Sequence, residues 1–259
     1  MTRQRHGSCR VVVCAITLLL SGVPALAREP SAAAILEHIN NLYRGASSHS
    51  IMTVTCFSER TPKSMEVEVW SRGATHVLAR VREPSENRGA ATLRLGGSTW
   101  AYLPEVDRVI RIPRAMMGAP WMGSHLTIGD MIMEPLQAQD CALRVRPVKN
   151  RTGEELLELT LTPRSGAAPP WSTAMAFIRS KDWMPVRIEF FDERKDLART
   201  MTFSNIREMG GRLLPAGVRV SPAGTPGQYT EIVYESIRFD VGIDESLFTL
   251  QDLREQGRP

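Results

Sequence analysis

Ser124, His125 and Asp130 fall within one short stretch and are the residue types of a hydrolase triad, whose chemistry would be acyl transfer through a serine nucleophile. Their spacing argues against it. Adjacent side chains in an extended segment point apart, and a triad is assembled from separate elements around a recognisable nucleophile turn. Thr127 reads instead as a helix N-cap, with Asp130 three residues later near the positive end of the dipole and Pro135 stopping the helix. The histidines outside the leader described below, His38, His49, His76 and His125, are dispersed singly. The chain has no HExxH, no H-x-E with a paired CxxC and no GxxxxGK phosphate loop. Glu66/Glu68 and Asp192/Glu193 read as solvated strand faces or turn residues. We therefore expect no catalytic residue, no metal site and no cofactor.

The strongest compositional signal is apolar. Five of the 12 methionines lie between Met116 and Met133, in MMGAPWMGSHLTIGDMIM, together with Trp121 and three glycines. Methionine is unbranched and polarizable, so it suits surfaces that repack around variable apolar shapes. A stretch of this kind in mid-chain is either core or a gate over a binding cavity.

The N-terminus reads as an export signal. Arg3, Arg5 and Arg10 precede the apolar run Val11 to Leu20, and Ala25-Leu26-Ala27 gives the small-x-small cleavage pattern. We expect residues 1–27 to be a cleaved Sec signal peptide and residues 28–259 to form a single domain, soluble in the periplasm after cleavage. The leader carries three of the 32 Lys+Arg and none of the 28 Asp+Glu, which leaves a net charge of +1 and removes the main support for nucleic-acid binding. Cys9 and Cys14 also leave with it. In an oxidising compartment the remaining pair, Cys56 and Cys141, either forms a disulfide or stays as two separate buried thiols.

The elements that must position these residues are mostly strands. Ser31 can cap a helix carrying Ile35, Leu36, Ile39, Leu42 and Tyr43 on one face, ending near Gly45. Period-2 alternation then marks strands around 65–69, 77–82, 93–95, 100–102 and 109–112, with Gly96-Gly97 turning a hairpin. Further strands are expected at 142–148, 156–161, 173–179, 186–191, 199–203, 213–220 and 229–239. The Pro/Gly-rich stretches Arg164 to Pro170 and Ser221 to Gly227 read as loops. The fold class is mainly β with an α-helical lid (α+β): a half-open, strongly curved antiparallel β-barrel of roughly 11 strands covering an apolar cavity.

From Arg88 to Met133 the order RGAATLRL, WAYLP, DRVIRIP and WMGSHLTIGDMI resembles the bacterial outer-membrane lipoprotein-sorting proteins, relatives of the LolA-like periplasmic lipid and lipoprotein carriers. The run MPVRIEFFDERKDLARTMTFSNIREMGGRLLPAGVRV and the ending DESLFTLQDL are similar to that family's later strands and closing pattern, so the resemblance spans roughly residues 31 to 253. The chain departs from the family's G-S-D-F-T-Y-E-D at His125, Leu126, Ile128 and Gly129.

The resemblance implies a non-enzymatic carrier or chaperone that binds acyl chains of a lipoprotein or a lipid and transfers them towards the outer membrane. It also implies an alternative role as an accessory lipid-binding subunit of an inner-membrane RND-type exporter. Expected partners are lipoprotein acyl chains or lipid, an inner-membrane transporter and transient membrane-surface contact, with no nucleic acid; Arg108, Arg111 and Arg114 read either as a headgroup-facing patch or, more commonly for such a pattern, as a solvated strand face. On this reading the cavity and its glycine-hinged lid are lined by Trp70, Trp100, Tyr102, Met116, Met117, Trp121, Met122, Leu126, Ile128, Met131 and Ile132. Trp121→Ala combined with Met122→Ala would then impair ligand retention more than stability. An enzyme acting on envelope lipids is the third class, tested by Ser124→Ala.

Overall fold

The computed structural model describes residues 31–58, 61–135, 138–164 and 169–257. The signal peptide expected at residues 1–27 lies outside the described residues. After helix α1 (Ala32–Asn41) come β1 (Ser47–Phe57), β2 (Lys63–Arg72), β3 (His76–Glu83), β4 (Ala91–Leu95), β5 (Ser98–Leu103) and β6 (Arg108–Ile112). The short helix α2 (Ile128–Met131) follows, and then β7 (Cys141–Lys149), β8 (Glu155–Pro163), β9 (Thr173–Arg179), β10 (Pro185–Phe191), β11 (Leu197–Met209), β12 (Arg212–Pro222), β13 (Tyr229–Phe239) and helix α3 (Leu250–Glu255).

All thirteen strands form one antiparallel sheet in the order β6-β5-β4-β3-β2-β1-β13-β12-β11-β10-β9-β8-β7, strongly curved and not closed. Every neighbour except β1/β13 is also consecutive in sequence, so hairpins build two meanders that meet at the β1/β13 seam. The strands β6 and β7 are the free edges, and the chain between them, residues 113–140, contains the Met-rich segment. The curved-sheet expectation holds, with a larger number of strands than the roughly eleven expected. The strand missing from the sequence reading is β1. Its inward positions include Ser48, Ser50 and Cys56 beside Met52 and Val54, so polar residues interrupt the apolar alternation although all five are buried.

Side-chain parity divides the sheet into two faces. One continuous row of cross-strand neighbours runs Ile188–Met201–Val220–Thr230–Cys56, and the adjacent row runs Phe203–Val218–Ile232–Val54–Met65. This is the concave face. Two covers pack on it. Helix α1, capped by Ser31 Oγ accepting from the Ala34 N–H (3.2 Å), buries Ile35 and Leu36 against Leu159, Leu161, Ala174, Ala176 and Ile178 of β8 and β9. The Met-rich segment buries Trp121, Leu126, Met131 and Ile132 against valines of β1–β3 and of β12.

The opposite face is closed locally by the C-terminal segment. Phe248 and Leu253 pack on Leu78, Ala91, Leu93 and Tyr102, and the chain end is drawn so close that a Cβ on Gly89 (φ +85°) would lie 2.0 Å from the Gly257 carbonyl oxygen. Arg254 adds a two-pronged ion pair to Asp107 at 2.8 and 2.5 Å.

Candidate functional site

Between the two covers the concave face is not filled. A mostly apolar cavity of about 280 Å³, partly open to solvent, remains over β10–β13. An engineered apolar cavity of roughly 150 Å³ admits benzene, so this hollow has room for a length of hydrocarbon. Its floor is Ile188, Phe190, Met201, Phe203, Val218 and Ile232, the inward side chains of four consecutive antiparallel strands. One wall is Ile39, Leu42 and Tyr43 at the end of α1; the opposite wall is Met117, Leu126 and Met133 of the Met-rich segment.

Tyr43 and Tyr234 stack face to face with ring centroids 4.6 Å apart, and the Tyr43 hydroxyl donates to the Pro215 carbonyl at 2.8 Å. Burial raises the pKa of both phenols, so they stay neutral in an apolar wall. A second, smaller hollow of about 30 Å³ lies beneath, between Tyr43, Met52, Val69, Met131 and Tyr234.

The Met-rich segment is folded on itself. The Trp121 N–H donates to the Leu126 carbonyl (2.7 Å), the Ile128 N–H to Ala119 (3.0 Å) and the Gly129 N–H to Met117 (2.9 Å). Thr127 caps α2 as expected, in a reciprocal box: its Oγ1 accepts from the Asp130 N–H (3.0 Å), and the Asp130 carboxylate accepts from the Thr127 N–H (2.7 Å). Asp130 does more than cap. Its carboxylate also pairs with both terminal nitrogens of Arg199 on β11, one at 3.0 Å, while Arg199 lies over the Phe190 ring at 4.4 Å. The lid is thereby bolted to the cavity floor through a mostly buried ion pair.

The triad residues have separate partners. Ser124 Oγ donates to the Trp121 carbonyl (2.7 Å) and accepts from the Leu126 N–H, and His125 Nδ1 faces Thr230 Oγ1 at 2.9 Å. Both cysteines are free and buried, which corrects the disulfide alternative. Cys56 sits on central β1 with its Sγ 3.9 Å from His125 Nδ1, whereas Cys141 begins β7 at the far edge and packs with α1, so the fold keeps them apart.

Of the eleven residues expected around the cavity, Met117 and Leu126 line it and Met131 lines the smaller hollow. Trp121 and Ile132 belong to the packed core, and Ile128, partly buried, packs against it; Trp121 is 4% exposed and its indole N–H donates to Thr92 Oγ1 at 3.1 Å. Met116 and Met122 point to solvent. Trp70, Trp100 and Tyr102 are on the opposite face, packed with or against the cluster under α3. The reason is parity: Met65, Val67 and Val69 face the concave side, so Trp70 cannot, and its cross-strand neighbours Leu78, Leu93 and Trp100 continue the outer row.

The residues that the sequence reading missed, Phe190, Met201, Phe203, Val218, Ile232 and Tyr234, all lie on expected strands. Their signal was the inward register of β10–β13 rather than any local motif.

A curved, unclosed antiparallel sheet with an oily hollow under a crossing segment defines the LolA-like fold class. The chain superposes with a TM-score of 0.72 on a domain described as an outer membrane lipoprotein-sorting protein from Vibrio parahaemolyticus (19% identity, 85% of this chain and 97% of the other). It superposes at 0.73 on a LolA superfamily protein from Nitrosomonas europaea (18% identity, 86% and 99%) and at 0.74 on a DUF1329 family protein from Desulfovibrio piger (18% identity, 86% and 97%). A family model whose description reads "-like: Uncharacterized protein" matches residues 73–255, and the chain belongs to that family. No curated protein sequence matches the chain.

Proposed function

We propose that this protein is a non-enzymatic periplasmic carrier, a single domain from residue 28 onward released by cleavage after Ala27, that shelters an acyl chain of a lipoprotein or lipid and passes it towards the outer membrane. The observation that carries this reading is the unfilled apolar hollow of about 280 Å³ between α1 and the Met-rich segment. Each methylene moved from water into such a site contributes about 0.8 kcal/mol, so half a dozen buried methylenes give about 5 kcal/mol, enough to hold a chain and still release it. The likeness to a lipoprotein-sorting domain in the Vibrio structure supports the same direction. No helix among the described residues is long and apolar enough to cross a membrane.

Titration with a fluorescent acyl probe tests the proposal. Saturable binding is expected, and it should be lost in Met201→Trp, which puts an indole where the floor side chain now borders the hollow. Absence of saturable binding to the wild-type protein would count against a carrier.

A further inference from the structure

Part of the cavity lining is polar in a specific way. Arg44 stands in the turn after α1, is 3% exposed, and borders the cavity; one Nη donates to the Met133 carbonyl at 2.7 Å, while its buried Nε has no hydrogen-bond partner. No carboxylate lies within ion-pair distance of it among the described residues. Burial, and then the neighbouring charge of Arg94, push the Arg44 guanidinium down to about 10, which still leaves it charged at neutral pH.

Arg94, on the concave face of β4, is half-buried; its Nε donates to the Gly96 carbonyl at 3.4 Å, and its Nη1 also lacks a partner. It lines a third hollow of about 290 Å³ that shares Arg114, Met117, Glu134, Pro135 and Asp140 with the apolar cavity. Between them the two adjoining hollows are lined by Arg44, Arg94, Arg114 and Arg199 and by Asp130, Glu134 and Asp140. Asp130 is committed to Arg199, and four guanidiniums against three carboxylates leave a net positive charge, with Arg44 the most desolvated of the four.

We propose that Arg44, with Arg94 and Arg114 beside it, is an anion subsite at the head of the cavity, and that the natural ligand is a single-chain-accommodating amphiphile with a carboxylate or phosphate headgroup. The proposal rests on the carrier reading and adds the ligand's charge. A guanidinium with a free N–H edge is matched to a carboxylate or phosphate oxygen, and such a bond is roughly twice as strong as a neutral one. The acyl chain would run from this head position over the floor of β10–β13.

The test is a chain-matched competition series at about pH 8, where the carboxylate is ionised. Hexadecanoate, hexadecyl phosphate and hexadecanol each displace a fluorescent acyl probe from the full mature protein, with inorganic phosphate alone as a further arm. At least one anionic amphiphile is expected to bind about tenfold or more tightly than hexadecanol, and the stronger of the two identifies the headgroup. Inorganic phosphate alone should not displace the probe. In Arg44→Met the preference should fall to roughly threefold or less while hexadecanol affinity is kept.

Equal binding of hexadecanol and both anions to the wild type would overturn the subsite and leave the carrier standing. Failure of every chain to bind would remove the carrier and the subsite together. Displacement by inorganic phosphate as effective as by hexadecyl phosphate would also overturn the proposal, because the ligand would then be a free anion. If Arg44→Met fails to fold, Arg94→Gln should lower the same preference, and an unchanged preference there would contradict the shared site.

Discussion

The two faces of this sheet use the same kinds of side chain for opposite ends. On the outer face, Leu78, Leu93 and Tyr102 are fully buried beneath Phe248 and Leu253, and the chain end is pressed against them. On the concave face, Phe190, Phe203, Met201 and Tyr234 are equally apolar, but the two covers stop short of each other and leave a hollow. Closure by one continuous segment yields a core at crystal-like density, whereas closure by two separate elements leaves a seam that a ligand can occupy. The difference therefore lies in what covers the residues, since composition alone cannot distinguish them.

Substitutions should separate the faces. Trp121→Ala is expected to have the largest effect on stability, about 3–5 kcal/mol by urea unfolding, because the indole is core and carries a hydrogen bond to Thr92. Met122→Ala, on a solvent-facing side chain, should change neither stability nor binding; the two residues that looked like one lid in sequence would thus behave as strangers.

Leu253→Ala on the outer face should cost about 2–5 kcal/mol while the folded fraction binds an acyl probe with unchanged affinity. A parallel loss of affinity would mean that the faces are coupled. Met201→Trp should do the reverse, weakening probe binding by about tenfold or more with stability unchanged or raised by up to about 2 kcal/mol, as for other cavity-filling changes.

The smallest effect concerns His38 on α1, whose ring meets Trp183 edge-on at 5.7 Å. Burial is the main cause lowering its pKa below 6.5, with Asp182 opposing. A base that gains its proton less readily when folded is destabilised on acidification. Its contribution is present above the unfolded value near 6.5 and declines as pH falls below it. His38→Gln should flatten that part of the stability profile, measured as the difference from wild type between about pH 7 and pH 5.

Much of this architecture was legible in the sequence. Strand alternation gave the curved sheet, and Thr127 with Asp130 gave the cap of α2, both for reasons local to a few residues. The cavity was harder to read. Richness in Met and Trp attracted attention to the lid, but Trp121 and Ile132 sank into the core, and Trp70, Trp100 and Tyr102 faced away by strand parity. Parity alone places Trp70 on the face opposite Val67 and Val69. The floor residues became identifiable only once β10–β13 were registered against one another, and β1 escaped notice because serines and a cysteine occupy its buried positions. The ion pair between Asp130 and Arg199 joins residues 69 positions apart and leaves no local trace.

The gap between the two covers is proposed to hold a hydrocarbon chain. Mass spectrometry of the organic extract from the purified mature protein tests it directly, with Met201→Trp prepared in parallel. The account expects an acyl lipid approaching stoichiometric amount in the wild type and its loss from the variant. An extract free of lipid, or one whose lipid survives the blocked floor unchanged, would contradict it.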